Sequence, residues 1–168
     1  MSSQSATIRT ATREDIPTII HLIRELAIYE KEPQAAKATP ELIEENIFQK
    51  EIAKCLIAEA EVEGKTQPIG LAIYFFSFST WTARPSLYLE DLFVLEAYRN
   101  KGAGKALFRE LGRIAKSTNC GRVDWSVLDW NEPSIAFYKQ VLGAKPMLGW
   151  TGMRLEEEGI ERLQTLGL

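Results

Sequence analysis

The sequence predicts an α/β fold in which helices pack against one central mixed sheet. Its 168 residues are enough for a single domain with a sizeable core. Apolar residues recur at helical spacing in some segments, and other segments are rich in β-branched, aliphatic and aromatic residues, as strands are. In chain order these segments follow the pattern β-α-α-β-β-β-α-β-α-β.

The N-terminal segments are predicted to form one strand and two helices. Residues 7–10 form a short strand, and the amphipathic helix after it is capped by Thr12 or Asp15. The segment 39–41, Thr-Pro-Glu, combines a capping residue, a proline suited to the first helical turn and an acidic residue. It opens a second helix that runs to about Gln49.

The middle of the chain is predicted to contain three strands. Residues 54–62 and 68–79 are separated by a turn near Gly64 and most simply form a hairpin. A loop that carries Trp81 then leads to a central strand over residues 87–95.

The last third alternates between helices and strands. A strongly amphipathic helix is predicted over residues 104–116 and a strand over residues 122–128. A short helix over 133–141, a final strand over 145–155 and an acidic helix over 156–166 complete the chain.

A turn with two glycines separates the central strand from the amphipathic helix. Gly102 and Gly104 let the backbone approach a ligand closely, and the free N–H groups of the first helical turn favour an anion there. Arg99, Lys101 and Lys105 add positive charge. We interpret residues 99–105 as a phosphate-binding cradle, against the alternative of an ordinary strand-to-helix turn.

The spacing within this turn narrows the choice of phosphate ligand. Lys105 is followed by alanine, so the segment is not a P-loop, and the third glycine of a dinucleotide fingerprint is missing. The remaining pattern, Arg-x-x-Gly-x-Gly from Arg99 to Gly104, resembles the pyrophosphate-binding motif of the GNAT acyl-CoA N-acyltransferases.

A second motif lies one strand further along the chain. Asn131 is suited to cap a short helix, with Pro133 and Ser134 in its first turn and the pair Phe137-Tyr138 after them. This resembles the second cofactor motif of the GNAT family. Three further segments, 22–30, 88–91 and 127–131, resemble the diamine acetyltransferase branch, which includes the spermidine/spermine and thialysine N-acetyltransferases.

The resemblance covers about residues 8–154 and implies several properties. It implies the GNAT fold, with a mostly antiparallel sheet and helices on both faces, as a single domain over residues 1–168. It implies a homodimer that shares its C-terminal strands. It also implies acetyl-CoA as co-substrate, with backbone N–H groups of Phe93 and Val94 polarising the acetyl carbonyl. The implied cofactor-binding residues are Leu92, Phe93, Val94, Arg99, Asn100, Lys101, Gly102, Ala103, Gly104, Lys105, Asn131, Ser134, Tyr138 and Lys139.

Acetyl transfer to an amine needs a group that removes a proton and donors that stabilise the oxyanion. No Cys-His or Ser-His pair is recognisable, and His21, the one histidine, falls on the predicted first helix as a surface residue. We therefore expect the amine to attack directly, without a covalent enzyme intermediate.

Glu90 is the candidate base, acting through a water molecule. It lies in a run that otherwise reads as buried strand, where burial would raise the pKa of a carboxylate. The alternative is a Glu90 that simply pairs with a neighbouring Arg or Lys. Asp91 is expected on the opposite face of a regular strand, where it binds a second ammonium or pairs with a surface cation.

Tyr138 is the candidate acid, because the tyrosine at this place in the family motif donates a proton to the sulfur of CoA. The alternative is an ordinary core tyrosine. The resemblance implies that the amine is held by Tyr29, Glu30, Glu90, Asp91 and Trp150.

Two residues depart from the polyamine acetyltransferase pattern. Met147 and Leu148 stand where those enzymes carry acidic residues, just before the pair Gly149-Trp150. A long polyamine would lose one partner for its distal ammonium, and residues 128–131 are closer to the thialysine-type branch.

Composition excludes some classes of protein. The net charge of −3, with no basic cluster interleaved with aromatics, argues against nucleic acid as a partner. Residues 71–78, the longest apolar stretch, are too short to span a membrane. Cys55 and Cys120 are expected to be free thiols, and residues 1–7 lack the apolar core of a signal peptide. These features predict a cytoplasmic protein, and no metal site is predicted.

The sequence thus predicts an acetyl-CoA-dependent N-acetyltransferase acting on a small diamine, polyamine or lysine-like amine. Acetylation of a protein lysine or N-terminus is an alternative within the same class. A CoA-binding module without turnover is the alternative from another class, and retention of Glu90 and Tyr138 argues against it.

Overall fold

Five strands form one sheet in a computed structural model of the chain, which describes residues 6–167. Their order in the sheet is the order in the chain; the first four run antiparallel to their neighbours, and the fifth is parallel to the fourth. Residues 1–5, which entered the expectation about a signal peptide, lie outside the described residues. The strands are β1 (Thr7–Thr10), β2 (Lys54–Val62), β3 (Lys65–Ser79), β4 (Arg84–Val94) and β5 (Arg122–Trp125).

Helices occupy the positions that the apolar spacing predicts. Thr39 caps the second helix by accepting a hydrogen bond from Leu42 N at 3.3 Å, and that helix continues as a π-helical turn over Glu44–Gln49. Among the described helices, none combines the length and apolar character that a membrane span requires. The helices are α1 (Ile16–Tyr29), α2 (Pro40–Ile43), α3 (Ala103–Ser117), α4 (Glu132–Gln140) and α5 (Glu157–Leu163).

The chain divides into two compact units, a first unit that ends at Ser126 and a second unit that begins at Val127. The first unit contains the sheet. Buried residues of α3 pack on one side of it, here called the α3 face, and those of α1 and α2 pack on the other, the α1 face. This arrangement confirms the predicted mixed, mostly antiparallel sheet with helices on both faces.

A β-bulge interrupts β4 at Glu90. In the ladder between β3 and β4, Ile73 pairs with Asp91 and Tyr74 pairs with Leu89, so Glu90 has no partner on β3. A bulge inserts one extra residue, and therefore exchanges the faces to which the following side chains point.

The bulge places two consecutive carboxylates on the same face. Before it, Leu89 packs in the core of the α3 face; after it, Leu92 packs against that same core and Phe93 lies in the core of the α1 face. By this alternation Glu90 and Asp91 both lie on the α1 face. The expectation that Asp91 lies opposite Glu90 is wrong because it assumed a regular strand.

The second unit contains α4 and α5 but not the predicted final strand. Residues 145–155 form no helix or strand, and Gly149 turns the chain with a φ of +85°. The hydrogen bond from Leu148 N to Pro146 O (3.0 Å) also belongs to a local turn rather than to a ladder. The prediction of a strand here is wrong because an extended-looking composition does not supply a neighbouring strand to pair with.

Gly70 allows β3 to approach β4 just beyond the bulge. A Cβ added there would lie 2.5 Å from Phe93 O, a backbone atom that cannot move without shifting β4. We expect Gly70→Ala to lower the free energy of unfolding by about 1–3 kcal/mol, as overpacking does. Denaturant unfolding measures this change.

Gly112→Ala is the matched control, since a Cβ on this α3 residue meets nothing within 4 Å. It should raise stability by about 0.5–1 kcal/mol, as expected for a glycine replaced inside a helix. Equal stability of Gly70→Ala and the parent protein would show that the close approach is not required.

Candidate active site

The cradle turn, residues 99–105, has the geometry of an anion site. Gly102 precedes α3 with a φ of +91°, a left-handed conformation that favours glycine. Ala106 N donates to Gly102 O at 2.9 Å, so the N–H groups of residues 103–105 have no acceptor within the helix. A Cβ on Gly102 or Gly104 would meet nothing within 4 Å. Open space in front of three free donors fits a pyrophosphate group.

The predicted cations of the cradle do not all point into it. The Nε atom of Arg99 donates to Val94 O at 2.9 Å, and its guanidinium lies 4.4 Å from the centroid of the Tyr29 ring. Lys101 Nζ donates to Ala97 O at 2.9 Å. Lys105 is exposed on the first turn of α3. Arg99 therefore connects the end of β4 to the end of α1, a contact between distant segments for which the sequence has no signal.

The end of β4 exposes one backbone edge. β5 pairs with β4 only as far as Leu89, so within the first unit no strand pairs with β4 on that side over residues 90–94. Leu95 N donates to Ile69 O at 2.9 Å, and backbone groups alternate between the two edges of a strand. The N–H of Phe93 therefore faces β3, while that of Val94 faces this open edge.

Three carboxylates, from Glu30, Glu90 and Asp91, form a cluster on the α1 face. Asp91 is partly buried, and this burial, followed by repulsion from Glu90 and Glu30, raises its pKa to about 6. Burial also raises the pKa of Glu30, which directly follows α1. Among the described residues no ion pair neutralises these acids, so the cluster attracts cations.

Glu90 is exposed, so the expectation that it is buried is wrong. The bulge is the reason, because its extra residue stands outside the regular packing of the strand. The buried carboxylate of this strand is instead its neighbour Asp91.

An aromatic pair borders the carboxylate cluster. The rings of Tyr29 and Phe93 lie 6.3 Å apart at 52°, and the Arg99 guanidinium lies 5.3 Å from the Phe93 ring. Tyr29 and Glu30, at the end of α1, are thus brought to the same end of β4 as Asp91. His21, by contrast, is exposed on α1.

The second motif forms the start of α4 in the second unit. Buried Asn131 caps the helix, with its side-chain oxygen accepting a hydrogen bond from Ser134 N at 3.4 Å. The Tyr138 ring lies 5.8 Å from that of Phe137 in an edge-to-face contact. Lys139 and Trp150 are exposed. The predicted cap is confirmed, and Tyr138 is partly buried on the middle of the helix.

Comparison with known proteins connects these features to one family. The sequence model of the Acetyltransferase (GNAT) family matches residues 19–144. The thialysine N-epsilon-acetyltransferase of Sus scrofa is 34% identical over 168 residues, which are 95% of this chain and 97% of that protein. The spermidine/spermine N(1)-acetyltransferase-like protein 1 of Homo sapiens is 34% identical over 90% of this chain and 22% of that protein.

A solved structure shows the same architecture. An integron cassette protein from the mobile metagenome of V. cholerae superposes with a TM-score of 0.76 at 27% identity, covering 95% of this chain and 98% of that one.

Gly104 offers a test of the cradle that does not disturb the fold. Since a Cβ there meets open space, Gly104→Leu should fold like the parent protein and obstruct only a bound ligand. Loss of a charge-assisted hydrogen bond or two predicts at least about tenfold weaker binding of acetyl-CoA, measured by calorimetry. Gly112→Leu in the same helix is the control, because its Cβ site is equally open. Unchanged affinity in Gly104→Leu would remove the cradle from the cofactor site.

Proposed function

The chain belongs to the GNAT acetyltransferase family, and we propose that it transfers the acetyl group of acetyl-CoA to a primary amine of a small diamine, polyamine or lysine-like molecule. It is an N-acetyltransferase by this membership. The family match spans residues of both units, which supports a single functional domain over the whole chain.

The observation that carries this proposal is the position of the carboxylate cluster. Glu90 and Asp91 lie in the last five residues of β4 with Glu30 near them, and one short turn leads from the end of β4 to the cradle. An amine is a cation at neutral pH, so it is attracted to the cluster while the cradle holds the phosphates of the acetyl donor. The two reactants are thereby brought to one strand end, with Tyr29 beside it.

Acetyl-CoA supplies an acetyl group already activated as a thioester. Its pyrophosphate would be held by the free N–H groups of Ala103, Gly104 and Lys105, with Lys101, Asn100 and Gly102 shaping the turn before them. The open edge of β4 provides the N–H of Val94 for the negative charge that develops on the carbonyl oxygen. The sequence motif assigns Asn131, Ser134 and Lys139 to the same cofactor.

Proton transfer involves the carboxylates of the bulge and one tyrosine. Glu90 is the proposed base, which meets the ammonium through a water molecule; its exposure at the bulge supports this role. Tyr138 is the proposed donor to the departing thiolate, an assignment that rests on the Phe137-Tyr138 motif. Each of these steps is general acid–base catalysis without a covalent enzyme intermediate.

We propose that the amine that accepts the acetyl group is a short molecule. The relatives at 34% identity are named for thialysine and for spermidine/spermine. Met147 and Leu148 are exposed and apolar, and so offer no charge to the far end of a long polyamine. Trp150, also exposed, is retained as a proposed contact with the amine.

A homodimer is proposed because the second unit leaves many large apolar side chains uncovered. A patch of this kind usually marks an interface, and shared C-terminal segments would cover it with a second copy of the chain. The relative exposures are 64% for Met147, 84% for Leu148, 71% for Trp150 and 90% for Met153.

A cytoplasmic location is proposed on the state of the two cysteines. Cys55 and Cys120 are both free, and burial raises the pKa of Cys55 to about 12, which leaves it an unreactive thiol. Free thiols are typical of a reducing compartment. The mild negative charge supports a small-molecule partner rather than nucleic acid or a membrane.

The test of the proposed function is an acceptor screen with acetyl-CoA that measures release of free thiol. Short diamines and thialysine should support turnover better than spermine, and better than peptides with a free lysine or N-terminus. Turnover with peptides alone would reassign the enzyme to protein acetylation. Binding of acetyl-CoA without thiol release from any amine would favour a CoA-binding module.

Tyr138→Phe tests the proposed acid. It removes a hydroxyl and keeps the ring beside Phe137, so acetyl-CoA should bind nearly as well while kcat falls about a hundredfold, as expected for the loss of general acid catalysis. Tyr98→Phe is the control, because the Tyr98 ring lies 5.4 Å from Lys101 Nζ and a phenylalanine keeps that contact. A parental kcat in Tyr138→Phe would leave Tyr138 as a core tyrosine only.

A further inference from the structure

We propose that Asp91 is the final acceptor of the proton that leaves the amine, and that Glu90 meets the ammonium and passes the proton on. The inference deepens the proposed function and rests on it. Its basis is the bulge of β4, which gives two consecutive acids the same face but different depths: Glu90 is exposed, and Asp91 is partly buried.

The surroundings of Asp91 suit a proton acceptor. Glu90 on its own strand and Glu30 after α1 both repel its negative charge, and burial disfavours that charge further. The charges that shift the pKa of Asp91 are those of Glu90 and Glu30, and no cation of the described residues offsets them. The Arg99 guanidinium is instead held by Val94 O and the Tyr29 ring. No hydrogen bond or ion pair to Asp91 occurs among the described side chains of the first unit, so nothing there holds it in the ionised form.

The energetics of proton transfer favour a carboxylate of this kind. An alkylammonium has a pKa of about 10, so a proton that moves to an ordinary aspartate climbs about six pKa units. The raised pKa of Asp91, about 6, reduces this difference to about four units. At neutral pH such a group is still about nine-tenths ionised, and is therefore ready to accept a proton.

The step balances without any further reactant. An N–H bond of the ammonium breaks, and the proton moves by way of the Glu90 carboxylate and water to an oxygen of Asp91. The nitrogen lone pair then forms the C–N bond to the thioester carbonyl carbon, and the C–S bond breaks. The thiolate takes the proton of Tyr138, the donor proposed above, and the second proton that the nitrogen loses on becoming an amide restores the tyrosine hydroxyl through solvent. Asp91 returns its proton to solvent through Glu90, so that one proton is released for each acetyl group transferred.

A pH profile of kcat/KM with a short diamine distinguishes Asp91 from its neighbours. In the parent protein kcat/KM should be level above about pH 6 and fall tenfold per pH unit below it. Asp91→Asn can use only amine that is already neutral, so its kcat/KM should rise about tenfold per pH unit across neutrality. Its deficit at pH 7 should be a hundredfold or more.

Variants of the two neighbouring acids shift the profile without abolishing its form. Glu30→Gln removes the smaller of the two repulsions and should move the acid limb to lower pH. Glu90→Gln should lower kcat/KM in the flat part of the profile and move the acid limb to lower pH, but the acid limb should still be present. Glu63→Gln, an exposed acid in the turn between β2 and β3, is the control and should match the parent.

The melting temperature of Asp91→Asn distinguishes a proton acceptor from a purely structural Asp91, because the two roles predict changes of opposite sign. Because the pKa of Asp91 is raised in the folded state, folding is favoured while this group is protonated, and the advantage is lost as pH rises from about 3.8 to about 6. At neutral pH Asp91→Asn should therefore melt at a higher temperature than the parent. A variant that is both inactive and less stable would overturn the proposal.

The remaining outcomes separate this inference from the function on which it rests. If the parent turns over amines and Asp91→Asn keeps the parental acid limb, Asp91 is not the acceptor and the proposed function stands. If Glu90→Gln alone abolishes the limb, Glu90 is the acceptor. If no amine supports thiol release in the parent, the proposed function fails and this inference fails with it.

Discussion

The bulge at Glu90 is the constraint on which the rest of the site depends. A single unpaired residue in the ladder between β3 and β4 exchanges the faces of the strand, so that Glu90 and Asp91 share the face that carries α1. The pairing of β4 with β5 ends at Leu89, the residue just before the bulge. The clustered carboxylates and the open backbone edge that includes Val94 therefore begin at the same point of β4.

An irregular strand end must be held in place by contacts other than the ladder. Gly70 lets β3 lie close against β4 at Phe93, where any side chain would meet the carbonyl oxygen. From the other side Arg99 donates to Val94 O and stacks on Tyr29, so it fixes the end of β4 to the end of α1. The guanidinium is suited to this because it offers a donor and a planar face at once. The first residue of the Arg-x-x-Gly-x-Gly pattern therefore fixes the proposed amine-binding side of the site, while the glycines and free N–H groups after it form the proposed anion-binding side.

The sequence predicted the features that depend on local patterns. The order of elements as far as α4, the cap at Asn131 and the glycine turn before α3 all follow from residues within one or two helical turns of each other, and the structure confirms them. The bulge could not be predicted in this way, because the register depends on two strands. The sequence of β4 alone does not show that Glu90 has no partner on β3. For the same reason Glu90 was expected to be buried and Asp91 to face away from it, and residues 145–155 were expected to form a strand although none of the described strands pairs with them.

Two aspartates of the first unit show how environment separates an acid that stabilises the fold from one that is suited to accept a proton. Asp15 accepts hydrogen bonds from Arg9 at 2.6 and 2.8 Å, and this pairing lowers its pKa to about 2. Asp91 is also removed from water, but it faces two acids rather than a cation, and its pKa is raised to about 6. The first arrangement stabilises the charged form and ties β1 to the turn before α1. The second costs stability at neutral pH, and such a cost is retained where a group must change its protonation state. An unpaired, partly buried carboxylate at the junction of an anion cradle and a cation-attracting cluster is therefore better explained by chemistry than by folding.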